Sequence, residues 1–496
     1  MKARDAVDLA QNLLQVRAYE ARRLDLLNAA LSPTVPYSGG ELGIPTQQSV
    51  CSVPVDTDAK PALKRMAARS ETNFLPLVLD TFSQVMKVDN YLSSDGSAAG
   101  PWKWWQRNQM DARQTGLHRS ALHYGVAYTT VLPALTPGQE ESGAEVFWQP
   151  SSPRQMTAVY GERMVWDPKH GGPIDDDWPL HALEVNGNMI RLYDESDVHF
   201  IGVKSQPHST LGWTDPTYLR AENFAYIESR HHGIGVCPIV RYRDRVLLDG
   251  EEQLGIIEPL LAIQSRINET TFGMLVAQYF AAFKQRYIIG WTAKNEDEAM
   301  RMKVNNVWTF NDTDVKVGEL NETDLTRYIE SKDSGLLDMS AIGQLPPHAL
   351  GLTKVSNISD TTLAALESAK ERKSDEITTS FGESHEQAFR LAAYIDGDTT
   401  AAADFASEVK WRDASARSYA ATVDALGKLG QMLGVPDEFL WEFIPGWTRE
   451  TVSRAVAARR ESDPLTMLYD APAEPSESAQ PMSSDLVTTG DLTDAG

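Results

Sequence analysis

Residues 251–289 read EEQLGIIEPLLAIQSRINETTFGMLVAQYFAAFKQRYII, and this stretch decides the expected fold. Pro259 suits a first helical turn, and no proline follows it within the stretch. About thirty residues without a helix breaker predict one helix of roughly 45 Å. Apolar residues recur along one face of that helix at spacings of three, four or seven: Ile256, Leu260, Ile263, Ile267, Met274 and Ala281.

A second face of the same helix is polar but uncharged. It carries Gln264, Asn268, Thr271, Gln278 and Gln285. Exposed helices of ordinary domains usually have Glu and Lys on such a face. A long helix with an apolar face and a neutral polar face is expected to have protein neighbours on more than one side. Two interpretations fit, a core helix of a large enzyme or a helix in a ring of identical subunits.

Length and charge limit the class of protein. A chain of 496 residues predicts two to four compact units. The formal net charge is −23, and residues 461–496 contribute eight acids and no Lys or Arg, which leaves −15 for the first 460 residues. A negative net charge argues against tight binding to nucleic-acid phosphates, although it allows nucleic acid to slide past the protein.

Cysteine content and hydropathy predict where the protein is found. Cys51 and Cys237 are too few for a disulfide framework, which favours a reducing compartment. The N-terminal residues MKARDAVDLAQN lack the apolar region of a secretory signal, and no run approaches eighteen uncharged apolar residues. We therefore expect an intracellular product with no membrane partner.

The remaining sequence predicts helices at both ends and strands between them. Helices are expected over 5–31, 59–70, 73–88 and Trp102–Tyr124, with Gly125 ending the last. Short β-rich runs fill 126–245, and Asn186-Gly187 between two of them signals a hairpin. Beyond residue 289 the pattern predicts strands in VWTF and VKVGEL, then helices over 322–341, 359–396 and much of 398–467, and a disordered tail from 468. The fold class is α+β.

The sequence offers no recognisable catalytic or metal site. It lacks a phosphate-binding Gly-x-x-x-x-Gly-Lys-Ser/Thr loop, His-Glu-x-x-His and Gly-x-Ser-x-Gly. The pairs His231–His232 and His118–His123 have poor spacing for a shared metal, and Asp175-Asp176-Asp177 lacks the rest of a calcium loop. Three tryptophans at 102, 104 and 105 favour helix packing over a sugar or base platform. We predict no catalytic residue, metal or cofactor.

Four stretches, in this order, resemble the portal proteins of tailed double-stranded DNA phages, in the version common among actinobacterial siphophages. They are WKWWQRNQMDARQTGLHRSALHYGVAY, IGQLPPHALGL, LAALESAKERKSDEITTSFGESHEQAFRLA and WRDASARSYAATVDALGKLGQMLGVPDEFLWEFIPG. An early segment, ARRLDLLNAALSPTVPYSGG, resembles the opening of that family less tightly. The resemblance covers most of residues 1–460, and it rests on the order of the parts rather than on one motif.

The resemblance implies a ring, usually of twelve subunits, at one vertex of the capsid. The wing would comprise residues 1–254 and the long helix 359–397. The stem would comprise 255–289 and 322–345 on either side of a clip at 290–321. A tunnel loop would lie at 346–358, a helical crown at 398–467 and a disordered acidic tail at 468–496.

Residue roles follow from these parts as expectations. Contacts with DNA in the channel would come from Lys354, Val355, Ser356, Asn357, Lys370 and Lys373. The clip would present Asp312, Asp314, Lys316 and Glu319 to the packaging motor. Stem contacts between subunits would come from Gln264, Asn268, Thr271 and Gln278. For Lys354, Lys370 and Lys373, solvent-facing or intersubunit ion pairs are an equally open interpretation.

The resemblance also implies the partners and the place of action. These are other copies of the chain, the terminase large subunit, the major capsid and scaffold proteins, a head–tail adaptor, and double-stranded DNA passing without sequence specificity. The protein would reside in the virion after assembly in the host cytoplasm, without enzymatic activity. The alternatives are a mixed α/β enzyme with an unrecognised site and another ring-forming head–tail adaptor.

Overall fold

The computed structural model of the protein describes most of the chain. The described residues are 1–32, 50–56, 58–94, 99–134, 145–161, 177–247, 254–281, 286–289, 316–319, 324–352, 360–412, 419–444, 447 and 449–462. They fall into two compact units, Met1–Ala414 and Ser415–Gly496.

The first unit contains nine of the described helices. They are α1 (Ala3–Leu31), α2 (Pro61–Ser70), α3 (Leu75–Ser83), α4 (Trp102–Arg107), α5 (Met110–Tyr124), α6 (Leu261–Ala281), α7 (Thr326–Gly343), α8 (Asp360–Asp396) and α9 (Thr399–Ala402). Its strands are β1 (Val88–Leu92), β2 (Ala127–Pro133), β3 (Val146–Ser151), β4 (Met156–Val159), β5 (His181–Asn186), β6 (Met189–Tyr193), β7 (Asp197–Val203), β8 (Phe224–His231), β9 (Ile239–Tyr242), β10 (Arg286–Ile289), β11 (Lys316–Glu319) and β12 (Glu408–Trp411). Short 3-10 turns cover Thr210–Thr214, Ala221–Asn223, Glu258–Leu260 and Pro347–Leu350.

The strands form antiparallel sheets that pack on helices. The larger sheet has the order β4-β5-β6-β7-β8, and the smaller has the order β3-β2-β9. The first half of α1 packs its small and apolar side chains, Ala6 to Ala18, against the larger sheet. The second half joins α3, α5, α8 and the smaller sheet in the main hydrophobic core. Because α1 contributes to both clusters, it holds the two sheets in one unit.

Two predicted features of the sheets and the long helices are confirmed. Asn186 pairs with Met189, so β5 and β6 form a hairpin with Gly187 at φ 55° in its two-residue turn. The helix predicted over 359–396 is α8, Asp360–Asp396, which runs for 37 residues. The packing role of the tryptophans is also confirmed, since Trp105 is wholly buried and lies 5.5 Å from the ring of Phe389.

Four predicted helices are wrong in extent, including the one over 73–88, because α3 ends at Ser83 and Val88 begins β1. The stretch 251–289 does not form one helix, because α6 ends at Ala281 and Arg286–Ile289 pairs with Lys316–Glu319. The β-branched and aromatic residues at 287–289 suit that ribbon better than a further helical turn. Likewise Glu408–Trp411 is a strand that pairs with β1, inside a range predicted as helical. The run from Trp102 breaks at Gln109, which adopts φ 55° and separates α4 from α5.

A buried hydrogen-bonded chain links α5, α8 and β9. The hydroxyl of Tyr242 lies 3.1 Å from Nδ1 of His385, and Nε2 of His385 lies 2.8 Å from Nε2 of His118. Nδ1 of His118 is 3.1 Å from the carbonyl oxygen of Met86. If Tyr242 donates to His385, each ring donates one proton and accepts one, so both histidines are satisfied only when neutral. Burial lowers the pKa of His118 to about 4 and that of His385 well below its usual value.

The second unit is helical. It contains α10 (Tyr419–Leu433), α11 (Asp437–Leu440) and α12 (Arg449–Ser462), with a 3-10 turn at Trp441–Phe443. Arg459 of α12 pairs with Asp437 at 3.0 Å and lies over the ring of Trp441, which fixes α12 against α11. The tail predicted to be disordered lies outside the described residues.

The histidine pair makes the stability of the protein depend on pH. An unfolded histidine binds a proton near pH 6.5, whereas His118 stays neutral to about pH 4 in the fold. Stability is therefore fully present above about pH 6.5 and falls progressively towards pH 4, by about 1 kcal/mol per pH unit for each histidine. We expect His118→Gln to reduce this slope in chemical unfolding measured from pH 7 to 5.

The control is His231→Gln, because the side chain of His231 is 70% exposed. It should leave the slope as in the unmodified protein. An unchanged slope in His118→Gln would show that folding does not lower the pKa of His118.

Candidate intersubunit and channel surfaces

The buried side chains of the neutral polar face of α6 form their hydrogen bonds within the same chain. The amide of Gln264 accepts from the N–H of Phe74 at 2.9 Å and donates to the carbonyl oxygen of Thr72 at 2.7 Å. Asn268 accepts from the N–H of Thr72 at 3.2 Å and donates to the carbonyl oxygen of Cys51 at 2.9 Å. The two side chains are wholly buried and also bond to each other. They fix residues 51–74 to α6, so their polar groups have hydrogen-bond partners without any contact to a second subunit.

The other two predicted intersubunit residues differ from these and from each other. The hydroxyl of Thr271 is buried and donates to the carbonyl oxygen of Ile267 in its own helix. Gln278 is exposed near the end of α6. Of the four predicted residues, Gln278 is therefore the one whose side chain faces outward, and its contact with a neighbouring subunit stays a prediction.

The lysines predicted to face DNA have partners within the protein. Lys370 forms an ion pair with Glu367, whose carboxylate also lies 3.0 Å from Nε2 of His348 in the Pro347–Leu350 turn. Nζ of Lys373 lies 3.5 Å from the carbonyl oxygen of Gly343, at the end of α7, and 5.2 Å from the ring centre of Phe82. Burial lowers the pKa of Lys373.

These contacts place both lysines in the packing of α8 rather than on an open surface. A cation at the C-terminal end of α7 is favoured by the partial negative charge of the helix terminus. Lys354, Val355, Ser356 and Asn357 lie outside the described residues. A DNA contact for any of the six remains a prediction.

The insertion between α6 and α7 is closed by a two-stranded ribbon. Arg286 pairs with Glu319 and Ile289 with Lys316, so the ribbon begins four residues before the predicted clip. Lys316 is exposed. Only the backbone of Glu319 is described, and Asp312 and Asp314 lie outside the described residues.

One group of described residues brings three potential metal ligands together, Asp194, Asp197 and His199. The carboxylate of Asp194 accepts from the N–H groups of Ser196 and Asp197 and lies 3.0 Å from Nε2 of His199. Burial alone would raise the pKa of Asp194, but these hydrogen bonds outweigh it and lower the pKa. The arrangement is that of a hydrogen-bonded turn between β6 and β7, and we assign no metal to it.

His232, His123 and Cys237 each have a separate hydrogen-bond partner in the protein. Nε2 of His232 lies 3.1 Å from the carbonyl oxygen of Asp194, and Sγ of Cys237 lies 3.7 Å from that of Tyr193. Nε2 of His123 lies 2.9 Å from the carbonyl oxygen of Leu27. Asp177, the described member of the acidic triplet, pairs with Arg241 at 2.7 Å. No helix within the described part of the chain is long and apolar enough to cross a membrane.

The buried amides predict a difference between two substitutions on α6. Asn268→Ala leaves the N–H of Thr72 and the carbonyl oxygen of Cys51 without their partner. We expect it to lower the free energy of unfolding by about 1–3 kcal/mol. The matched change Gln278→Ala, on the exposed end of the helix, should cost no more than about 0.5 kcal/mol.

Chemical unfolding of the two variants measures this difference. Equal stabilities would mean that Asn268 does not hold residues 51–74 to α6 in solution.

Comparisons with known proteins agree on one family. The family model described as phage portal protein, SPP1 Gp6-like, matches residues 46–464. The portal protein of Mycobacterium phage D29 is 24% identical over 372 residues, which cover 71% of this chain and 71% of that protein. The portal protein of Mycobacterium phage L5 is 24% identical over 369 residues, with the same coverage.

Solved structures give weaker likenesses. A chain from the virion of a native gene transfer agent particle is 12% identical with a TM-score of 0.44, covering 75% of this chain and 86% of its own length. A chain from the neck of the native particle, computed with C12 symmetry, has 12% identity and a TM-score of 0.43, covering 77% and 89%.

The family model and both curated relatives are named for portal proteins, a structural class of virion component. This confirms the structural interpretation of the sequence over the enzymatic alternative. Because the family match extends over most of the chain and includes every described element from α2 to α12, this protein belongs to the SPP1 Gp6-like family of phage portal proteins.

Proposed function

We propose that the protein forms a closed ring of about twelve copies at one vertex of the capsid, and that double-stranded DNA passes through the ring during packaging and ejection. Family membership over residues 46–464 is the observation that carries this proposal. The exposed apolar side chains support it. Ile329, Leu337 and Ile342 of α7 are each more than half exposed, and Tyr19 of α1 is 80% exposed. Neighbouring copies would cover such residues.

The proposed parts of the subunit follow the described elements. The wing comprises residues 1–254 with α8, and α6 and α7 form the stem. The β10–β11 ribbon is the base of the clip, and the tunnel loop lies within 346–358. Because β12 pairs with β1 in the first unit, we place the start of the crown after residue 414 rather than at 398.

The charge of the protein suits a conduit. Twelve copies at −23 give a ring with a formal charge of about −276, whose field repels phosphates. Each strong phosphate contact would slow DNA moving in either direction. Lys370 and Lys373, the two described lysines predicted for the channel, are engaged with Glu367 and with the end of α7. A channel with few free cations fits sequence-independent passage.

The proposed partners act at different faces and times. The clip would bind the terminase large subunit during packaging and head–tail adaptor proteins afterwards. The wing and crown would contact the major capsid and scaffold proteins during assembly in the host cytoplasm. DNA would be bound without sequence specificity.

The first test is the oligomeric state. We expect native mass spectrometry and negative-stain images of the purified protein to show closed rings of about twelve subunits, because the exposed apolar side chains of α7 require cover. A stable, folded monomer at micromolar concentration and moderate salt would contradict the proposal.

The second test concerns the clip. We expect the combined change of Asp312, Asp314 and Glu319 to Ala to leave rings intact and to impair motor-dependent DNA packaging, because rim charges steer the association of transient partners. Ring formation and packaging are measured separately. Lys204→Ala, at an exposed lysine beside the Ala221–Asn223 turn, is the control and should leave both unchanged. Intact rings with normal motor binding and packaging would exclude this role of the charges.

The third test concerns the tail. Residues after Tyr469 are rich in Ser, Pro, Ala, Glu and Asp, so they lack the apolar content that offsets the entropy of ordering. We expect truncation after Tyr469 to leave the melting temperature and ring assembly unchanged. A large drop in either would identify the tail as a structural element.

A further inference from the structure

α2 is an unusually basic helix in an acidic protein. Within residues 60–70 it carries Lys60, Lys64, Arg65 and Arg69 and no acid. Its buried residues are Ala67 and Ser70, on the side that packs against α6. Arg65 and Arg69 are four residues apart and therefore share a face, which is turned away from α6. Arg69 is exposed and Arg65 is half-exposed.

The charges on that outward face have no ion pair with any residue described in the structure. This holds for Arg65 and Arg69. We define these two cations as the α2 basic face. In a chain with a net charge of −23, a cluster of unneutralised cations at one place requires a physical reason.

α7 presents a complementary surface. Glu330, Asp333 and Leu337 follow at spacings of three and four, and all three are exposed. The other acids of this region are engaged, Asp324 with Arg327 at 3.8 Å and Asp338 with Arg266. Glu330 and Asp333, in contrast, make no ion pair within the described part of the chain. With the neighbouring Ile329 and Leu337, each 51% exposed, they form the α7 acidic ridge.

The two surfaces lie on different sides of α6. Gln264 and Asn268 of α6 bond to residues 51–72, the segment that carries α2. Ile267 of α6 meets α7, where a Cβ added to Gly335 would lie 2.9 Å from its side chain. Arg266, which pairs with Asp338 of α7, is two positions from both 264 and 268 and therefore lies about 160° around α6 from them, because successive helical positions rotate by about 100°.

We propose that the α2 basic face of one subunit docks on the α7 acidic ridge of the next subunit. A cyclic ring with more than two copies needs heterologous contacts, in which two different surfaces of the same chain are complementary. The α2 basic face and the α7 acidic ridge have opposite charge and lie on two sides of one helix. The contact would also cover Ile329 and Leu337. This inference rests on the proposed ring and names the surfaces that close it.

A charge-swap experiment tests the contact. Arg65→Glu with Arg69→Glu reverses the basic face, and Glu330→Lys with Asp333→Lys reverses the acidic ridge. We expect each reversed variant to lose rings by about tenfold or more in size-exclusion chromatography with light scattering, because each places like charges together. An equimolar mixture of the two variants should recover rings, since every junction in an alternating ring then pairs opposite charges.

Controls separate assembly from folding. Lys2→Glu with Arg4→Glu reverses two exposed cations at the start of α1 and should leave ring formation unchanged. Should a reversed variant unfold, Arg65→Gln with Arg69→Gln provides the test, with an expected loss of rings and of part of their salt dependence.

The outcomes distinguish the possible failures. Normal rings in both reversed variants, or no recovery on mixing two folded variants, would overturn the docking proposal. If the α2 variant forms normal rings but binds DNA more weakly, the basic face contacts DNA instead. That result would also overturn the docking proposal. Absence of rings in the unmodified protein would refute the proposed function itself.

Discussion

Two neutral histidines hold the centre of the first unit together. His118 comes from α5 and His385 from α8, and their rings meet 2.8 Å apart in an environment that excludes water. A charge on either ring would be a buried cation with no anion beside it, because neither ring contacts a carboxylate of the described residues. The surrounding aromatic rings, including Phe381 at 5.1 Å from His118, suit neutral rings. The same pair joins α8 to β9 through Tyr242, so it links two helices to the smaller sheet of the first unit.

Periodicity predicted the elements whose formation depends on local sequence. The hairpin at Asn186-Gly187 and the long helix α8 are set by turn chemistry and by an apolar repeat, both of which are visible in the sequence. The end of α6 was not predictable in the same way. Residues 286–289 fit a helical pattern as well as a strand, and their pairing with residues 316–319 decides between the two. Pairing with a distant strand therefore decided the secondary structure of residues 286–289, which local sequence preference did not decide.

The polar face of α6 shows the same limit for a candidate site. The neutral composition of this face correctly indicated that most of it does not face solvent. The resemblance to ring-forming portal proteins suggested a neighbouring subunit as its partner. The actual partners of Gln264 and Asn268 are backbone groups some 190–217 positions earlier in the same chain. The histidine pair, 267 positions apart, carried no sequence signal at all. In both cases the partners of buried polar groups lie far away in the sequence, and no spacing rule reports them.

Strong net negative charge and self-assembly place opposing demands on this chain. Subunits at −23 repel one another, but at physiological salt the repulsion between exposed charges decays over about 8 Å. Oppositely charged groups in direct contact across an interface are closer than that distance, so they retain much of their attraction. A few well-placed cations can therefore offset a large total charge, provided that they lie at the junction opposite acids of the next subunit and that the remaining acids lie elsewhere. The unneutralised cations of α2 and the otherwise acidic surface have this distribution. At the proposed junction, this distribution would let one chain attract its neighbour while the rest of its surface repels phosphates along a channel.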